Sequence, residues 1–425
     1  MKKTHLINVA LVIGSVLFSA GLTEAYLRLA KPYWLTARLP APPNINVSFE
    51  TEEFKTRVIT NNIGLRDHRD FSPDHSGTYR IAAIGDSFTY GWGVNNNETF
   101  PAVLENILKT KTGKNLEIIN FGRPGDNPLG YLRTFVGHTK RLNPDMVIMG
   151  IHPANDCPIT SSLVGGTDDQ ARQRAKELIQ QSSKPEKTPS SYVAWLVKTR
   201  ISRPLRAWIR NTGTEKSSNN IKMIDPIDGS RNPLEPSVLK KSIGGNPHQI
   251  ARYQALKDAG WVAKGERREI SPWLIISAIS NPDITRHALL LDPKTRSAME
   301  HQWAICQQTI KSISETIEST GAKFVLMVLA TPAQVSSRFL AARRLLGMNT
   351  PDEALTDTSV NDRLISFCEK EQLTCIDTLL PTREAAKSGS NLFYPIDGHP
   401  TVRGQALYAK VAAEELIRLK AMQQP

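Results

Sequence analysis

Cysteine is scarce. The chain has four in 425 residues, Cys157, Cys306, Cys368 and Cys375. None stands in a CxxC or Cys/His spacing, which excludes a disulfide-built scaffold and a zinc module. The 26 glycines and 27 prolines have no period, and the chain is 40% hydrophobic and 22% charged, which excludes collagen-like, disordered and coiled-coil classes. Internal repeats and low-complexity tracts are missing as well. No cluster suggests a metal site, and no cofactor is expected. Acidic residues are outnumbered, 41 against 53 Lys and Arg, giving a net charge of +12 that favours anionic neighbours. Phospholipid, acidic polysaccharide and nucleic acid all satisfy that condition. Cys368 and Cys375 lie close enough to bridge in an oxidising compartment, or to remain two buried thiols.

Long apolar runs are missing too, with one exception. Behind Lys2 and Lys3, residues Thr4 to Thr23 hold no Lys, Arg, Asp or Glu. Twenty residues at about 1.5 Å rise match a hydrocarbon core. Ser19-Ala20-Gly21 is a mediocre cleavage site, so the run reads as an uncleaved signal anchor over residues 1–31, a transmembrane helix in a bacterial inner membrane. The two leading lysines place the amino terminus in the cytoplasm and the body on the periplasmic side, or secreted if the anchor is cleaved. Export and the lack of a reading module exclude nucleic acid as a partner. Residues 32–60, rich in proline, asparagine and threonine, read as a tether.

Beyond them strand and helix alternate. Arg80-Ile81-Ala82-Ala83-Ile84, Leu116 to Phe121, Met146 to Ile151, Phe324 to Leu329 and Thr374 to Asp377 are short apolar runs, each followed by helical sequence. Met299, Trp303, Cys306, Ile310, Ile313 and Ile317 recur at helical spacing, which makes Cys306 a core residue. The pattern predicts a parallel sheet between helices, with any ligand at the carboxyl ends of its strands. Residues 158–292 break the rhythm and read as an insertion or cap between a first part, 61–157, and a second, 293–425. Within it Tyr192 to Arg210 interleaves Trp195 and Trp208 with five basic residues. That pattern fits a cap helix packed on the body, or a helix at a lipid or acidic-glycan surface.

Four segments carry chemistry: Gly85-Asp86-Ser87 after the first strand, Gly122-Arg123-Pro124-Gly125-Asp126-Asn127 after the second, Pro153-Ala154-Asn155-Asp156 after the third, and Asp397-Gly398-His399-Pro400 before the last helix. Together they resemble the four blocks of the SGNH hydrolases, the GDSL esterase and lipase superfamily, over residues 61–157 and 322–420. The lead-in Asn61-Asn62-Ile63-Gly64-Leu65-Arg66-Asp67 is similar to membrane-anchored bacterial members. The resemblance implies a three-layer α/β/α sandwich with a five-stranded parallel sheet. It also implies Ser87 as nucleophile, His399 as general base, and Gly125 and Asn155 in the oxyanion hole. Asp86, Asp126 and Asp156 are expected to support these groups from behind.

The physical reasons agree. A serine hydroxyl needs an imidazole to take its proton, and the oxyanion formed on the carbonyl needs preorganised donors. A carboxylate on the other ring nitrogen holds the tautomer. Two features depart from the family. The usual acid lies three residues before the histidine, at Ile396 here, so Asp397, two before, is the candidate, an arrangement that resembles alginate O-acetyltransferase relatives. Pro153 replaces the glycine of the third block, and His152 adds a polar group beside it. The expected function is a serine esterase removing acyl groups, mainly acetyl, from a cell-envelope or extracellular carbohydrate. The alternatives are an O-acyltransferase using the same residues and a catalytically inactive carbohydrate-binding protein.

Overall fold

In the computed structural model, the structure describes residues 2–30, 43–162, 176–181, 191–197, 245–280 and 296–422, with the single positions 173, 234, 239, 282 and 283. By contact the chain divides into two units, residues 1–38 with 186–224 and residues 39–185 with 225–425.

The second unit is built on five strands. These are β3 (Tyr79–Gly85), β4 (Leu116–Gly122), β5 (Met146–Ile151), β6 (Lys323–Val328) and β7 (Thr374–Asp377), following an antiparallel pair, β1 (Asn46–Glu50) and β2 (Lys55–Ile59). The five pair in parallel in the order β4-β3-β5-β6-β7. Every residue of β5 is buried and all but the first of β3, as expected of strands covered on both faces. Alternation along each strand divides the core in two. Ala82, Ile84, Val147 and Met149 pack against Trp303, Cys306, Ile310, Ile313 and Ile317 of the Arg296–Glu318 helix. Ile81, Ala83, Met146 and Ile148 pack against Leu104 and Leu108 of Phe100–Thr112 and Tyr408 and Ala412 of Val402–Arg418. The result is three layers. The chain leaves β3 for β4 on one side and returns to β5 on the other, so the carboxyl end of β3 is the switch point where such sheets bind ligands.

Cys306 is buried as the apolar spacing requires, yet it is not a free core thiol. It is bonded to Cys157, and Cys368 is bonded to Cys375, leaving no free cysteine among the described residues. The first bond ties the Pro153–Ser162 helix to the Arg296–Glu318 helix across 149 residues of sequence. Loop-closure entropy assigns it about 5 kcal/mol, and about 2 kcal/mol to the seven-residue loop of the second. Urea unfolding of the Cys157→Ala/Cys306→Ala pair is therefore expected to show the larger loss of stability. Equal losses for the two double variants would contradict that ranking.

Two expectations change. Among the described residues no helix is long and apolar enough to cross a membrane. The Lys2–Ala30 helix holds the whole apolar run but also Lys2, Lys3, His5, Asn8, Glu24 and Arg28. Its Glu24 pairs with Arg28 and accepts hydrogen bonds from Ser191 Oγ and Val193 N at 3.0 and 2.9 Å, capping the Tyr192–Leu196 helix of the same unit. The transmembrane helix is thus withdrawn, and no partnership with a membrane through it is shown. The second half of the supposed tether is the β1–β2 hairpin, held by Thr56 Oγ1 donating to Val94 O and by Asn96 Nδ2 donating to Ile59 O. The insertion contributes Pro247–Asp258, Trp261–Glu266 and Pro272–Ser280, three helices around Leu256, Val262, Ile275 and Ile279. Of the aromatic and basic stretch, residues 198–210 lie outside the described residues.

Candidate active site

The strand β3 ends at Gly85, and Asp86 caps the short Ser87–Tyr90 helix by accepting from Phe88 N at 2.8 Å. This helix sits directly on the strand ends. A Cβ on Gly85 would lie 2.1 Å from Thr89 Oγ1, and one on Gly122, its β4 neighbour, 2.2 Å from Tyr90 N. Only glycine admits the helix there. Arg66, from the lead-in segment, donates to the carbonyls of Tyr90, Gly91 and Val94, fixing the loop that follows.

Across the switch point, Ser87 Oγ lies 2.7 Å from His399 Nε2, and His399 Nδ1 lies 2.5 Å from Asp397 Oδ1. The left-handed conformation of Gly398, φ 89°, folds the two-residue spacing back on itself. Asp397 Oδ1 consequently accepts from the backbone N–H of His399 as well, at 3.2 Å. Burial raises the Asp397 pKa, but the His399 ring, its two hydrogen bonds and Arg343 outweigh burial and hold it below the ordinary aspartate range.

Sequence reasoning missed the clamp on this loop. Glu53, in the turn between β1 and β2, accepts from Ile396 N at 2.8 Å and Asp397 N at 2.6 Å. Arg343, stacked 4.5 Å over the Phe339 ring, donates to the carbonyl of Ile396 at 2.9 Å and to that of Asp397 at 3.4 Å. Glu53 lies more than 340 residues from its partners, in a segment that reads as linker, so no local signal marks it. Burial raises its pKa against the pull of the two N–H groups. Protonation removes acceptor capacity, so the loop should loosen as pH falls through that raised value. Glu53→Gln is expected to lower kcat about ten- to hundredfold with little change in KM and to erase the corresponding acid limb of the pH profile. An unchanged profile would show that Glu53 does not hold the loop.

Beside Ser87 and His399 opens a cavity of about 320 Å³, whose lining includes Asp86, Phe88, His152, Asn155, Trp273, Phe339 and Arg343. Asn155 stands in the first turn of the Pro153–Ser162 helix and donates from Nδ2 to Asp156 Oδ1 at 3.4 Å. Asp156 is buried and accepts from Tyr131 Oη at 2.8 Å and His152 N at 2.9 Å. Its pKa is pushed well up, first by burial and then by Asp86, while burial lifts Asp86 to about 6. Asp126 accepts from Asn127 N at 3.1 Å and covers Gly130, where a Cβ would meet its carboxylate. Gly125 lies in the same loop with φ 72° and is not among the residues lining the cavity. His152 stacks on Phe88, centroids 4.3 Å apart and planes at 17°. Burial, with His399 adding to it, lowers the His152 pKa to about 3, so this ring stays neutral. A wider depression of about 820 Å³ around Tyr79, Asn115 and Asn143 lies at the amino ends of the strands, remote from these groups.

A serine hydroxyl hydrogen-bonded to an imidazole that is itself held by a carboxylate is an arrangement suited to acyl transfer. Residues 83–240 match the model of the GDSL-like lipase/acylhydrolase family. Over those residues the chain resembles that family. The match supports a carboxylic ester hydrolase of the SGNH/GDSL type acting on acyl esters. No curated protein matches the chain. Among solved structures it is similar to TesA, at 12% identity, covering 80% of this chain and 99% of that one with a TM-score of 0.35. It is also similar to Axe2, an acetylxylan esterase from Geobacillus stearothermophilus, at 11% identity, 81% and 96% coverage and TM-score 0.35. A two-domain esterase active on acetylated mannans, CEX, shows 11% identity, 82% and 51% coverage and TM-score 0.33.

Proposed function

We propose that this GDSL-like hydrolase removes acetyl groups from a cell-envelope or extracellular carbohydrate through an acyl-Ser87 intermediate. Ser87 Oγ attacks the ester carbonyl while its proton passes to His399 Nε2. Asp397 accepts from Nδ1–H and stabilises the imidazolium. The oxyanion takes donors from the backbone N–H of Ser87 and Gly125 and from Asn155 Nδ2. The leaving alcohol receives the proton from His399, and water then repeats the sequence to release the acid. Asp86, Asp126 and Asp156 act through these groups by capping the helix of Ser87 and orienting the segments of Gly125 and Asn155. The observation that carries the reading is the continuous row Asp397, His399, Ser87 at the edge of the cavity.

Two disulfides, with no free cysteine among the described residues, support an oxidising, extracytoplasmic compartment. Transfer to a sugar hydroxyl is the second reading. It is favoured by Ser271, Trp273 and Ser277 of the insertion, which form a polar and aromatic wall along the cavity where an acceptor would approach. Turnover of 4-nitrophenyl acetate, with and without oligosaccharide, separates the two. Ser87-dependent release of acetate into water establishes the esterase, and acetyl recovered on the oligosaccharide establishes the transferase. Release that is independent of Ser87 would contradict both.

A further inference from the structure

Two groups in the cavity wall have no part in the acyl-transfer row. The first is Trp273. In the Pro272–Ser280 helix, Leu274, Ile275, Ala278 and Ile279 are buried in the core of the insertion, while Trp273 remains 55% exposed. Trp273 and Ser277 stand four residues apart on one face of that helix, and both line the catalytic cavity together with Ser271. Among the described residues nothing in the fold of the insertion requires an aromatic ring there, and leaving one in water forfeits the large area it could bury. The second is His152, whose Nε2 is buried and has no hydrogen-bond partner among the described residues. An orphaned buried nitrogen costs about 1–3 kcal/mol until something pairs with it. Its ring lies stacked on Phe88 at the cavity wall.

We propose that Trp273, Ser271 and Ser277 of the insertion, with His152, form a subsite for the sugar ring that carries the ester. The indole takes the C–H face of a pyranose, the two serines take its hydroxyl edge, and a small turn of the cavity-lining His152 ring brings its Nε2 onto a hydroxyl beside the ester. A flat apolar face edged by hydroxyls and an unpaired nitrogen matches a sugar better than an acyl chain, which would leave all three polar groups unpaired. His152 stays uncharged across the physiological range, so it can offer this hydrogen bond without carrying a second positive charge toward the imidazolium of His399. The subsite lies in part beyond residues 83–240, so it is a feature of this chain's insertion. The assignment rests on the esterase reading above.

The test compares kcat/KM on acetylated cellobiose and on 4-nitrophenyl acetate for wild type, Trp273→Ala, Trp273→Phe and His152→Gln, beside calorimetric binding of acetylated cellobiose to the Ser87→Ala chain with and without Trp273→Ala. The ratio of the two activities is expected to fall at least about tenfold in Trp273→Ala, to recover partly in Trp273→Phe, and to fall severalfold in His152→Gln, chiefly through KM. Binding to Ser87→Ala should weaken by the same factor when Trp273 is removed. An unchanged ratio and unchanged binding overturn the subsite, and so does a loss confined to 4-nitrophenyl octanoate, assayed alongside, which would make Trp273 an acyl-chain wall. Wild type inactive on both esters would sink the esterase reading alone, since the binding arm still decides the subsite.

Discussion

Ser87→Ala is expected to lower hydrolysis of 4-nitrophenyl acetate by 10⁴-fold or more while leaving the far-ultraviolet spectrum and unfolding midpoint nearly unchanged. Ser87 Oγ makes its hydrogen bond to His399 and holds no other element in place. The helix it begins is capped by Asp86 and seated on Gly85 and Gly122. Loss of the hydroxyl removes the nucleophile and leaves only oxyanion stabilisation and binding, which in other serine hydrolases retain a small remainder of the rate. Steady-state rates on the variant decide it, and a loss of less than about tenfold would place the nucleophile elsewhere.

Asp397→Asn is expected to lower kcat by about 10²- to 10⁴-fold. The amide presents either an oxygen or an N–H to His399 Nδ1. In the second case the proton moves to Nε2, where it can no longer accept from Ser87. The carboxylate is held below its ordinary range by His399 and Arg343 in spite of burial. Its contribution to stability is therefore complete above the ordinary aspartate value and is lost as pH falls through the lowered one. Wild type should lose that contribution at acid pH, and Asp397→Asn should not. Activity near the wild-type level in Asp397→Asn would move the acid to another residue.

How much of this was legible in the sequence depended on distance along the chain. The strands at 80–84, 116–121 and 146–151 were legible because residues buried on both faces leave a continuous apolar run, and the Trp303 to Ile317 helix because one face is apolar at regular spacing. Ser87, Asn155 and His399 each follow or precede such an element within a few residues, so order alone brings them to one edge of the sheet. Glu53 and Arg343 work on backbone groups of residues 396 and 397, and a bond to backbone leaves no trace in the partner's identity. The Cys157–Cys306 bond was hidden because Cys306 fits an apolar spacing that needs no second explanation. The opposite error arose at the amino terminus, where length and the lack of charge between Thr4 and Thr23 suggested a bilayer span that the Lys2–Ala30 helix does not supply.

The central claim is that an acyl group passes through Ser87 with His399 as its base. The most direct measurement is labelling with an alkyl fluorophosphonate, followed by peptide mass spectrometry, on wild type, Ser87→Ala and His399→Ala. The account predicts one adduct on Ser87, formed in step with loss of esterase activity, absent from Ser87→Ala and slowed by orders of magnitude in His399→Ala. An adduct on another residue, or full inactivation with Ser87 unmodified, would contradict it.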